Sequence, residues 1–142
     1  MLTRSHTGIF TTLRRDGMPI ATPVWYVVMD RTICIGVPSR TKKVARVAHD
    51  PRASFLVESG ERWVDLVAVH LTGRVELVDD PEEQARIDAA ISLKYAAFRL
   101  ARSKQPEAAR GHYAEITYLR LLPDDRILSW ENSRIVPTET AS

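Results

Sequence analysis

TICIGVPSRTKKVARVAHDPRASFLVE, residues 32–58, changes its structural period twice. Thr32 to Val37 is a short apolar run with β-branched residues, the composition of a strand. Beyond Pro38 the spacing shifts: Val44, Val47 and Ala48 fall at i, i+3 and i+4, which predicts a short amphipathic helix from about Thr41 to His49. Asp50-Pro51 ends it, because a proline pushes the preceding residue out of the helical region. Ala53 to Glu58 then returns to strand.

The flanks extend this pattern. GIFTTLR (8–14) is rich in β-branched and aromatic residues and runs into Asp16-Gly17, a strong hairpin signal. MPIATPVWYVVM (18–29) reads as a second strand that stops at Asp30-Arg31, so that residues 8–37 form an antiparallel meander of three strands. Pro19 and Pro23 cannot donate to a ladder, which makes the second strand bulged or partly an edge. After the Ser59-Gly60-Glu61 turn, residues 62–78 read as one long strand with a bend or bulge at Gly73. Asp80 can cap a helix that opens with Pro81, Glu82 and Glu83. Ile87, Ile91, Tyr95 and Phe98 mark its apolar face, up to about Ser103. A short helical piece is expected over 106–111, strands over 113–122 and 126–130, and a frayed tail over 136–142. Six or seven mostly antiparallel strands with helical insertions make a mainly β fold, a β-barrel, in one domain spanning residues 1–142.

Composition narrows the functional class. The 142 residues carry 44% hydrophobic and 27% charged side chains, ordinary values for a globular protein. No apolar run reaches the length of a membrane span, and MLTRSHTGIF lacks the pattern of a signal peptide, so a cytoplasmic location is expected, with no membrane partner. The lone Cys34, between Ile33 and Ile35, reads as a buried strand residue. His6, His49, His70 and His112 are scattered without ligand spacing, so no metal site is expected. GxSxG, Walker and GxGxxG elements are absent.

What stands out is charge placement. With 20 basic and 18 acidic residues the chain is nearly balanced, yet Arg40, Lys42, Lys43, Arg46 and Arg52 meet only Asp50 between Ser39 and Arg52. Cations at a helix N-terminus oppose the dipole unless an anion is bound. Free first-turn amides, the hydroxyls of Ser39 and Thr41, and the ammonium groups of Lys42 and Lys43 together suit a phosphate. Pro23-Val24-Trp25-Tyr26 adds a proline-interrupted strand beside two large aromatics, which suits a planar heterocycle with polar edges. A ring with a phosphate tail points to a flavin-like cofactor. The alternative of a nucleic-acid patch is disfavoured by the scarcity of aromatics around the cluster, and no nucleic-acid partner is expected.

These stretches, DG-x-P-x-x-x-PVWY and the basic pair Lys42-Lys43 followed by a helix, Asp50-Pro51-Arg52 and a strand, resemble the split β-barrel flavin and deazaflavin oxidoreductases of the pyridoxamine 5′-phosphate oxidase-like superfamily. The resemblance covers residues 8–78 and continues loosely through WENSRI. It implies a split barrel that binds FMN or the deazaflavin coenzyme F420 between the subunits of a homodimer. By the same resemblance Pro23, Val24, Trp25, Tyr26, Gly36 and Val37 meet the ring, Ser39, Thr41, Lys42 and Lys43 hold the phosphate, and Trp130 of the other subunit closes the site, with Trp63 a second candidate. The implied activity is hydride transfer to or from a planar conjugated small molecule, with no obligate protein acid or base; Tyr26, Tyr95, His112 and Tyr113 are the available proton donors. The rival reading is a protein that stores or delivers flavin or haem on the same barrel, with His6, His70 or His112 as ligand. Two departures are notable. Arg46 stands where many relatives have asparagine, which favours a longer anionic tail. ENSRIVPTETAS does not supply the substrate segment of pyridoxal-phosphate-forming oxidases, so vitamin B6 synthesis is not expected.

Overall fold

In the computed structural model, which describes residues 1–99 and 115–135, seven strands form one antiparallel sheet in the order β2-β1-β5-β6-β7-β4-β3. They are β1 (Gly8–Leu13), β2 (Pro19–Val24), β3 (Val27–Met29), β4 (Thr32–Pro38), β5 (Arg52–Ser59), β6 (Val67–Leu77) and β7 (Ile116–Glu131), with helices α1 (Lys42–His49) and α2 (Pro81–Tyr95). The sheet curls into a split half-barrel. The expected helical piece at 106–111, the start of the strand at 113 and the tail at 136–142 lie outside the described residues.

Local chemistry accounts for the turns. The β1–β2 hairpin turns at Asp16-Gly17, where Gly17 takes φ +84° and the Asp16 carboxylate accepts from the amide of Met18 at 3.0 Å. Asp30 and Arg31 both have positive φ, the backbone of a two-residue turn whose twist matches its flanking strands β3 and β4. Asp80 caps α2, accepting from the amide of Glu82 at 3.3 Å, with Pro81 in the first turn.

The pairing register stacks apolar residues into inward-facing rows. Phe10, Phe55 and Leu71 are cross-strand partners, as are Ile33, Leu121 and Val75. All six are buried, and Val47 of α1 joins them. Each such side chain contributes about 1.5–3 kcal/mol by leaving water. A second cluster, Val27, Cys34, Val78, Ile87, Ile91 and Tyr95, fixes α2 to the outside of β3 and β4, as the spacing on α2 and the reading of Cys34 predict. Arg120 of β7 bridges Glu76 of β6 and Glu83 of α2 at 3.4 and 2.7 Å.

Four expectations are corrected. Residues 18–29 are not one strand: β2 and β3 lie at opposite edges of the sheet, and Trp25-Tyr26 carries the chain from one to the other, so the first three strands do not form a meander. The segment 62–78 opens with a 3-10 turn at Trp63–Asp65, and only Val67–Leu77 is strand. α2 ends at Tyr95, and a 3-10 turn follows in which Phe98 is exposed rather than buried. Pro123-Asp124-Asp125 does not interrupt the last strand. β7 runs unbroken through it because the register shifts between Leu71 and Gly73, and the hydroxyl of Thr72 donates to Asp124 at 2.7 Å. Gly73 is the bend expected there: a Cβ would lie 2.1 Å from the carbonyl oxygen of Leu122.

Candidate cofactor site

Helix α1 begins where β4 ends. Thr41 is its N-cap by backbone geometry, but its hydroxyl makes no capping bond, and its Oγ1 is a buried oxygen without a partner among the described residues. Such an atom normally carries a desolvation cost of about 1–3 kcal/mol. The backbone amides of Ser39 and Thr41 are already used, donating to Glu115 and Pro38 at 3.0 Å. The Ser39 hydroxyl accepts from the Thr117 hydroxyl at 2.7 Å and so is oriented by β7. Among the described residues this leaves the Thr41 hydroxyl, the cations and the opening amides of α1, which no side chain caps.

Among the described residues those cations have no local counter-charge. No carboxylate lies within ion-pair distance of Arg40, Lys42, Lys43 or Arg46 among the described residues. Asp50, the one acid nearby in sequence, is paired with Arg52 at 2.8 Å and is held down to about 2 by hydrogen bonds from that residue. Burial, then the charge of Arg46, holds the Lys43 ammonium below the ordinary lysine value. An orphan hydroxyl beside unneutralised cations, at amides without a side-chain cap, fits a phosphate.

The helix also packs on the strand next to the one expected to bind the ring. α1 packs on β1, and Nε of Arg46 donates to the Thr12 hydroxyl of β1 at 2.6 Å. The other neighbour of β1 at this edge of the sheet is β2, which carries Pro23 and Val24. Thr12 pairs with Ile20 and Ile9 with Pro23, so the Lys43 helix and the Pro23 edge border opposite ends of the same strand.

The remaining predicted residues divide. Pro23 is exposed on the edge strand, and the side chains of Val24 and Val37 are buried, leaving only their backbones for a ligand. Gly36 pairs with Tyr118, whose ring would crowd a Cβ there at 3.3 Å. Trp25 is 38% exposed, with its indole stacked on Tyr95 at 4.4 Å. Tyr26 points into the core. Its side chain is fully buried, with its hydroxyl donating to the carbonyl of Leu2, and burial raises its phenol to about 12. Its amide donates to the Tyr95 hydroxyl, and its carbonyl accepts from Lys94 at 3.0 Å. Trp130 lies at the opposite end of β7 from Ile116, the residue paired with Pro38 beside α1. Within one chain it does not join Ser39–Lys43.

Two features escaped the sequence reading. Thr12 looks like any strand threonine until its inward position places it under Arg46. Lys94, read only as a helix residue, sits 3.9 Å over the Tyr26 ring.

Comparison with known proteins bears on family and fold. A family model described as pyridoxamine 5′-phosphate oxidase matches residues 1–121. No curated protein matches the chain. Among solved structures, a conserved hypothetical protein from Mycobacterium tuberculosis is 27% identical with TM-score 0.75, over 97% of this chain and 85% of that one. A protein from Mesorhizobium loti described as FAD-binding is 19% identical with TM-score 0.66, over 90% and 84% of the two chains. A protein from Mycobacterium smegmatis described as heme-binding is 21% identical with TM-score 0.66, over 91% of this chain and 54% of that one. No helix among the described residues is long and apolar enough to cross a membrane.

Proposed function

The chain belongs to the pyridoxamine 5′-phosphate oxidase family, and from that premise we propose that it is an oxidoreductase using a flavin-type cofactor, FMN or F420, to pass a hydride to or from a planar conjugated small molecule. The observation that carries this reading is the unneutralised group at the start of α1: the orphan Thr41 hydroxyl with Lys42 and Lys43. The FAD-binding neighbour supports the same cofactor class.

The ring supplies the redox chemistry when bound. Lys42 and Lys43 would neutralise the phosphate, and the Thr41 hydroxyl would donate to it. Pro23, which cannot donate, keeps the outer edge of β2 from pairing with another strand and leaves it open to the ring. Trp25, held flat by its stack on Tyr95, walls that side.

The reading includes a second copy of the chain. Ile127 and Leu128 are neighbours on opposite faces of β7 and are 50% and 44% exposed; Trp130 on the same strand and Trp63, bonded to Asn132 just past its end, are exposed too. A strand end that is apolar on both faces suits burial in a homodimer, and the partner's copy is then the one whose Trp130 can reach the phosphate group.

Stopped-flow mixing tests the activity. Protein loaded with reduced cofactor should lose the reduced-ring absorbance to a quinone or nitroaromatic acceptor faster than free cofactor does. A bound cofactor that reacts no faster makes the protein a carrier, and uptake of haem in preference to either ring ends the proposal.

A further inference from the structure

Lys94, in the last turn of α2, is a half-buried cation among aromatic rings. Its Nζ lies 3.9 Å from the ring centre of Tyr26 and 5.3 Å from that of Tyr95. Among the described residues no carboxylate is within ion-pair distance of it. Burial holds its ammonium below the ordinary lysine value. The one hydrogen bond it makes among those residues goes to the Tyr26 carbonyl at 3.0 Å, and that oxygen already accepts from the Tyr95 hydroxyl at 2.9 Å. An ammonium has three donors, so the carbonyl does not use up its capacity. A methionine would fill the same space without taking a charge out of water.

This charge sits beside the segment expected to meet the ring. The Tyr95 ring has both Lys94 and the Trp25 indole as neighbours, the indole stacked at 4.4 Å, and Tyr26, whose carbonyl Lys94 holds, follows Trp25 directly. The cations of α1 belong to the other end: the helix reaches β1 at Thr12, whereas Pro23 pairs with Ile9. A ring that takes up a hydride gains negative charge, and a fixed cation beside it favours that state over the oxidised one. We propose that Lys94 meets the negative charge that a flavin-type ring gains on reduction, and so sets the potential of the bound cofactor. This rests on the flavin-class reading of the site. The nearby phenols are occupied, since Tyr26 donates to the carbonyl of Leu2 and Tyr95 to those of His6 and Tyr26. Arg99, 6.0 Å over the Trp25 indole, is exposed, and water and salt screen its charge.

The test is the affinity for FMN and for F420, each oxidised and reduced, and the midpoint potential of the bound couple. The wild type is compared with Lys94→Gln, Lys94→Met and Lys94→Arg, with thermal melts to verify folding. The two neutral variants should weaken the reduced form by about tenfold, the scale of one charge-assisted hydrogen bond, and leave the oxidised form nearly unchanged. That lowers the potential by about 30 mV for a two-electron couple. Lys94→Arg keeps the charge and should restore most of the difference. In the wild type the bound reduced ring, followed by its absorbance, should lose its proton at a lower pH than the free one, a readout that needs no variant. Equal loss for both forms makes Lys94 only a prop for the Tyr26 carbonyl. That result, no loss for either form, or unchanged ionisation of the bound ring overturns the role of Lys94 and leaves the flavin reading standing. Failure of the wild type to bind either cofactor overturns the flavin reading itself.

Discussion

The hydroxyl of Tyr95 lies 2.9 Å from the amide nitrogen of Tyr26 and 2.9 Å from its carbonyl oxygen. It accepts from the amide, and its one proton is shared between that carbonyl and the carbonyl of His6 at 2.6 Å. This residue of α2 thus serves the backbone just where the chain leaves one sheet edge for the other and has no strand partner. Lys94 supplies the second bond to the same carbonyl. The barrel is closed there by side chains, and Trp25 is held in place as a consequence.

Tyr95→Phe keeps the stack with Trp25 but strips the buried Tyr26 amide of its acceptor. An unpaired buried amide costs about 1–3 kcal/mol. Urea unfolding should show a lower midpoint with an unchanged slope; an unaltered midpoint would mean the hydroxyl is dispensable.

Gly73→Ala should be more damaging than an ordinary strand substitution. Its Cβ would meet the Leu122 carbonyl at 2.1 Å, and that oxygen is backbone, so β6 or β7 must move. A loss of about 1–3 kcal/mol is expected by denaturant unfolding, the range for overpacking a filled site.

Leu128→Arg places a charge on the exposed outer face of β7 without touching the barrel interior. Sedimentation should show a dimer for the wild type and a monomer for the variant, with the monomer still folded. A wild type that sediments as a monomer removes the shared site.

Lys43 sets a pH dependence. Burial and Arg46 hold its value below that of an ordinary lysine in the free protein, and a bound phosphate favours the charged form. The complex therefore holds more protons than the free protein between those two values, so affinity falls as pH rises, beginning below the usual lysine range. Folding has the opposite sign: the unfolded chain binds more protons in the window between the lowered value and the ordinary one, so this group's contribution to stability rises with pH there. Lys43→Arg, whose guanidinium stays charged, should flatten the affinity profile.

Legibility from sequence followed the range of the interactions. Asp16-Gly17, Asp80-Pro81 and the helix after Thr41 were readable because each rests on neighbours within a few residues. The break at Trp25-Tyr26 was not, since Val24 to Val28 has the composition of a continuous strand and the groups that stabilise the break, Lys94 and Tyr95, come from α2. Pro123-Asp124-Asp125 has turn chemistry, but the cross-strand bond from Thr72 keeps it in the ladder. At the site, the cation cluster was visible as local charge, whereas the hold of Thr12 on Arg46 depends on how α1 lands on β1.

A fluorescence titration of cofactor-free protein with FMN, FAD and F420, wild type beside Lys43→Ala, decides whether the start of α1 holds a flavin-type cofactor. Micromolar or tighter binding of at least one cofactor is expected, weakened by about tenfold or more in the variant, as loss of a charge-assisted contact to phosphate requires. Equal binding by the two proteins, or no binding by the wild type, would contradict it.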